Sequence, residues 1–170
     1  MPSQGPRSPS SASGTGWVNP TNVFALDGVF ATQSTIASSV YSTLNITNYG
    51  FSLPTNATIV GIIAIIYAKV SGGNVTDNGV TLLGNGATAD RSNGLNIPTS
   101  VTAETYGNSS DSWGVSWSVA QINSSAFGVA YNAVNNGPGT QILSIDYSSI
   151  QVFYTVPPTK FFSVLSGVDS

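Results

Sequence analysis

The stretch DSWGVSWSVAQINSSAFGV, residues 111–129, holds two of the chain's three tryptophans, four positions apart. Its reading decides the fold. Side chains along a strand alternate between two faces. A strand near 113–121 sets Trp113, Val115, Trp117 and Val119 on one face and Gly114, Ser116, Ser118 and Ala120 on the other. A second strand near 126–134 lines up Phe127, Val129, Tyr131 and Ala133 opposite Ala126, Gly128, Ala130 and Asn132. The connection Gln121-Ile122-Asn123-Ser124-Ser125 is short enough for a hairpin or a sheet corner, so the two apolar faces meet in one interior. A sugar-stacking platform needs exposed aromatics flanked by polar donors, whereas these indoles are interleaved with valines. The spacing predicts core packing for Trp113, Val115, Trp117, Val119, Phe127, Val129 and Tyr131.

Outward from this stretch the punctuation is that of an all-β chain. Short β-branched and aromatic runs are interrupted by Gly, Asn, Asp and Pro. Further strands are expected near 37–47, 58–70, 79–83, 99–106 and 142–156. Turn chemistry marks 71–74, 77–79, 84–86 and 135–139. No segment reads as an amphipathic helix. The run GNGATADRSNGLNIP, 84–98, is expected to be a long exposed loop. In the last strand Ile145 and Tyr147 share one parity, while Ile150, Val152 and Tyr154 share the other. A β-bulge near Ser148-Ser149 would reconcile them.

Composition narrows the chemistry. The 170 residues include no Cys and no His, which excludes disulfides, thiol catalysis and the usual general base. Charged residues are 6% of the chain, against about 25% in an ordinary domain, so associations should respond little to salt. The net charge of −3 comes with no basic stripe, so nucleic-acid binding is not expected. The first residues have no apolar core, which predicts no secretory signal peptide. The longest apolar run, 58–70, is too short to span a bilayer, so no membrane association is expected. No cofactor motif and no carboxylate set of recognised spacing occurs, which points away from an enzyme. A Ca²⁺ site around Asp77 and Asn78, or Asp90 and Asn93, competes with a plain turn reading. The Asn-x-Ser/Thr sequons read as chance in a chain this rich in those residues.

Three units are expected: a flexible Pro/Ser/Gly arm over 1–16, a β-sandwich domain over 17–156, and a tail over 157–170. Such an arm, when ordered, is usually held by a neighbouring subunit. The strand at 58–70 carries Ile59, Ile63, Ile65 and Tyr67 on one face and Val60, Ile62, Ile66 and Val70 on the other. A sandwich strand needs only one apolar face. A covering loop, the arm or another subunit must meet the second. Ile62, Ile66 and Val70, with Pro2, Pro6 and Pro9 of the arm, are the candidate inter-subunit residues.

Six strings occur in an order that resembles a module of tailed-bacteriophage structural proteins: GWVNP (16–20), LDGVFAT (26–32), YGFSLPTNATIVGI (49–62), YGNSSDSWGVSW (106–117), INSSAFGV (122–129) and IDYSSIQVFYT (145–155). The resemblance covers about residues 16–155 and extends to capsid-decorating, head-fibre and tail-associated chains. It implies a jelly-roll-like antiparallel β-sandwich with a virion role and no chemistry of its own. Its implied partners are the major capsid protein or other virion proteins, with a symmetric homo-oligomer, a trimer, as the assembly. The first expectation is a capsid-surface decoration or cement subunit that stabilises the shell through interfaces and its arm. The alternatives are a receptor- or glycan-binding module of a fibre or tail tip, working through loops 84–98 and 135–139, and a tail or neck adaptor.

Overall fold

The computed structural model describes residues 1–158. The expected tail therefore lies outside the described residues from 159 onward. Two five-stranded antiparallel sheets stack face to face, as the punctuation predicts. The first sheet is built on β6 (Thr58–Val70) and β10 (Gln141–Thr155), which pair along almost their whole length. β8 (Thr102–Asn108) flanks β6. On the far side of β10 lie β3 (Ala31–Thr35) and β1 (Ser3–Arg7), end to end. The second sheet centres on β9 (Gly128–Asn135). One edge of β9 carries β7 (Val75–Leu83), and the other carries β4 (Ser39–Val40) and β5 (Leu44–Thr47), with β2 (Ser11–Ser13) beyond β5.

The period of two explains the core. Ile62, Ala64, Ile66, Ala68 and Val70 of β6 point inward and are buried, as do Val129, Tyr131 and Ala133 of β9. Ile62, Ile66 and Val70 are therefore corrected from inter-subunit residues to interior ones: the opposing sheet covers them. The other face, with Ile63, Ile65 and Tyr67, points outward and is half-buried.

The arm is likewise corrected. Residues 3–7 pair with β10 and residues 11–13 pair with β5, so one short segment lends an edge strand to each sheet. The physical reason is that β10 and β5 would otherwise present unpaired backbone edges, and an edge accepts any extended chain whatever its side chains. Pro2 accepts a bond from the Tyr154 amide through its carbonyl, and Pro9 is buried. Pro6 is exposed within β1. Pro2 and Pro9 thus have contacts within the chain, whereas Pro6 stays open to solvent.

The expected strand over 113–121 does not form. Trp113 adopts φ 59° and Gly114 φ 74°, which turns the chain sharply. The Asp111 carboxylate accepts the Trp113 amide at 2.8 Å and fixes that turn. Ser118 then caps a single-turn helix, α1 (Val119–Ile122), in a reciprocal capping box with Gln121. The indoles still enter the interior. Trp113 is fully buried, and its Nε1 donates to the Ile62 carbonyl at 2.9 Å. Trp117 donates to the Ser112 carbonyl and meets the Phe127 ring edge-on, centroids 5.3 Å apart. Val115 and Val119 are only half-buried, because without a strand they share no face with the indoles.

The bulge exists, but sits earlier than Ser148-Ser149. The register of β10 on β6 shifts between Ile145 and Tyr147, which makes Asp146 the extra residue. Ile145 thus faces the core and Tyr147 the outside.

Candidate functional site

The six ordered strings of the sequence meet one another as pins of the scaffold. Asp146, bulged out of β10, accepts the amides of Asp27 and Gly28 and so holds the 26–29 loop against the first sheet. Asn123, just after α1, donates to the Leu53 carbonyl and accepts the Leu53 amide at 2.8 Å. Tyr49 shares a buried hydrogen bond of 2.6 Å with Ser148, and burial raises the phenol's pKa. These strings are thus legible as architecture.

All six carboxylates among the described residues accept hydrogen bonds from the chain itself, five of them from backbone amides. Asp77 accepts Asn93 and Gly94, and Asp90 accepts Val80 and Ser92. The two carboxylates among the residues offered above to calcium are therefore engaged in holding the 84–98 segment. Among the described residues, no three acidic side chains gather into a metal-binding set. Asp111 takes a bidentate pair from Arg91 at 2.7 and 2.8 Å, and that bond holds its carboxyl below the usual range. The Arg91–Asp111 pair ties the middle of 84–98 to the tryptophan turn.

The two loops offered for glycan contact are consequently restrained. Ile97 is buried, and Thr76 bridges to Asn96. In the other loop, buried Asn135 donates to the carbonyls of Thr35 and Gly139 and accepts the Gly137 amide.

Two surfaces among the described residues offer places where another molecule could sit. The first is the outer face of the β6–β10 sheet. Ile63, Ile65 and Tyr67 stand beside Tyr147 and Phe153, all half-buried, with the Tyr67 and Tyr147 rings 5.7 Å apart. Lys69 at its end lies 4.0 Å over the Phe30 ring, so its charge is directed away from the apolar stripe. The second is an open groove of about 720 Å³ lined by Ser13, Gly14, Thr15, Ser42, Thr43 and Asn45. It offers only hydroxyls, one amide and backbone. Neither surface was singled out from the sequence as it stands here. The first was visible as the Ile59/Ile63/Ile65/Tyr67 face, but parity alone did not say which face looked inward. The groove depends on β2 lying beside β5, which no local signal announces.

No family model matches the chain, and no curated protein matches it. Among solved structures, one described as "Structural analysis of an exo-beta-agarase" is similar over 91% of this chain, at 14% identity and a TM-score of 0.44. The match takes in 24% of that protein's length. A likeness of that extent says nothing about activity. Among the described residues no helix is long and apolar enough to cross a membrane.

Proposed function

We propose that this chain is a non-enzymatic structural subunit of a tailed-bacteriophage virion, most simply a capsid-surface decoration protein. The observation that carries the reading is the use of its polar groups. Every described carboxylate serves the chain's own backbone, Arg91 or Tyr106, which leaves shape and apolar surface as what the molecule offers a partner. The resemblance of the ordered strings to phage structural modules supplies the virion context. In this reading the outer face of the β6–β10 sheet, rather than the N-terminal segment, seats the subunit on capsid or other virion proteins. Burying that stripe stabilises the assembly only while the partner is present. With so few charges, attachment would hold at high salt. A symmetric homo-oligomer, a trimer by analogy, belongs to the same proposal.

Mass spectrometry of density-purified particles made from the genome that encodes this chain tests it. The chain is expected at a fixed copy number per major capsid protein. Its absence from particles that carry every other structural component overturns the proposal.

A second reading, a glycan-binding module of a fibre or tail tip, draws on the groove at Ser13, Thr15, Ser42, Thr43 and Asn45, whose uncharged donors and acceptors suit sugar hydroxyls. Sugar-competed adsorption to host cells would favour it over the first.

A further inference from the structure

The two sheets leave an open side where β8 ends one and β7 ends the other. Four oxygen-bearing side chains gather there. Glu104 and Tyr106 of β8 pair across to Ile66 and Ala64, so by alternation they share the inward face. Tyr106 donates its hydroxyl to Glu104 Oε2 at 2.5 Å. From the opposite sheet the Tyr131 ring approaches that of Tyr106, centroids 6.3 Å apart. The Tyr131 hydroxyl is fully buried and has no hydrogen-bond partner. Asp77 of β7 completes the set, its two oxygens taken by the amides of Asn93 and Gly94. Residues 93–98 roof the cluster, and a cleft of about 290 Å³ between roof and β8 reaches Glu104.

Among the described residues no cation answers these groups. Arg91 is paired with Asp111, Lys69 lies over Phe30 and Arg7 over Phe51. The groups that face Glu104 are Tyr106 on its own strand, Tyr131 from β9 and Asp77 from β7, while Asn93 and Asn96 in the roof are neutral. An ionised Glu104 would sit half-buried beside a second carboxylate, with the Tyr106 and Tyr131 hydroxyls to offset its charge and no described cation near it. A buried hydroxyl without a partner destabilises the fold, so the fold gains by supplying one.

We propose that Glu104 binds a proton in the folded chain, and that this proton closes the seam between the sheets. The neutral carboxyl accepts from Tyr106 and donates to Tyr131, joining β8 of one sheet to β9 of the other. Burial raises the Glu104 pKa and the charge of Asp77 adds to it, against the hydrogen bonds of Tyr106 and Tyr131, which lower it. A carboxyl whose folded pKa lies above its unfolded value binds more protons in the folded state. Its contribution to stability is therefore full below the unfolded pKa and is lost as pH rises through the folded one. Loss of the proton sets Glu104 against Asp77, the residue that holds the roof by Asn93 and Gly94. Opening should therefore begin at 93–98.

The chain contains a single glutamate, so a ¹³C-carboxyl glutamate label reports on Glu104 alone. In an NMR titration of the intact protein, the labelled carboxyl is expected to change protonation at a pH above the ordinary glutamate value. A midpoint at or below that value overturns the proposal. Thermal unfolding gives a second reading. Wild-type melting should fall across the same interval while Glu104→Gln, which keeps the shape without the charge, stays level and melts higher on the alkaline side. Tyr131→Phe should flatten the pH dependence. Parallel curves for wild type and Glu104→Gln count against the proposal. So does a saturable response of the label to calcium chloride at neutral pH, which would make the cleft a cation site instead.

Discussion

Trp113 is the side chain on which most of the interior depends. It lies in a left-handed turn, which a non-glycine residue adopts only when its surroundings hold it there. Three contacts do so: Asp111 on its amide, Ala89 on its carbonyl and Ile62 on its indole nitrogen. Trp113→Ala should cost about 3–5 kcal/mol, readable as a lower denaturant midpoint. Trp113→Phe keeps part of the ring but leaves the Ile62 carbonyl without its donor, and should lose less. Gly128 shows the complementary constraint. A Cβ there would be driven into the Ile46 carbonyl and the Thr47 backbone, because the paired β5 lies too close at that point to leave room for a side chain. Gly128→Ala should therefore be more damaging than any half-buried valine lost, and soluble yield together with the unfolding midpoint would show it. Both residues belong to strings legible in the sequence, yet alternation gave the wrong reason for one of them. It placed Trp113 inside through a strand, whereas the residue enters through a capped turn. The Asp-x-Trp-Gly and Ser-x-x-Gln spacings were the better signals, because each names a side chain that satisfies a particular backbone amide.

At the scale of elements, long apolar runs were legible and borrowed edges were not. β6 spans Thr58–Val70 as its composition predicts, because a run rich in isoleucine and valine favours the pleated surface whatever its neighbours do. β1, β2 and β3 carry SQGPR, SAS and ATQST, which have little intrinsic preference for extension. They are strands because β10 and β5 offer unpaired edges, a fact stored far away in the chain. The same reasoning changes what truncation should do. Removing residues 2–15 takes an edge strand from each sheet and uncovers Gly5's close seat on the Ile150 carbonyl. The truncated chain should melt lower and aggregate more readily than the full one, through the exposed edges of β10 and β5. Equal melting temperatures with and without the segment would show that the pairing contributes nothing. The 84–98 segment behaves alike: its composition reads as a free loop, but Asp77, Asp90 and Asp111 recruit it as a lid over one side of the sandwich. Arg91→Ala should raise amide exchange across 84–98 more than it lowers global stability, since the partly buried, bidentate pair ties this segment and not the two sheets together.

Over the whole molecule, the two faces of β6 separate folding from association. Ile62 and Ile66 look inward and Ile63 and Ile65 look outward, one residue apart. Two paired substitutions therefore ask different questions of the same strand. Ile62→Ser with Ile66→Ser places hydroxyls where nothing can bond them, and each lost side chain removes about 2–5 kcal/mol of packing, enough to unfold a domain of ordinary stability. Ile63→Ser with Ile65→Ser removes apolar area that water already reaches. The isolated chain should keep its melting temperature within a few degrees. Its self-association, followed by sedimentation at rising concentration, and its retention on purified particles should both fall. The discrimination lies in the pattern across both pairs. If the outward pair lowers melting as much as the inward pair, the outer face is being covered by the chain itself and attachment must use another surface. If the outward pair leaves melting, oligomer mass and particle retention all unchanged, the β6–β10 face has no partner, and the groove beside β2 becomes the surface to probe.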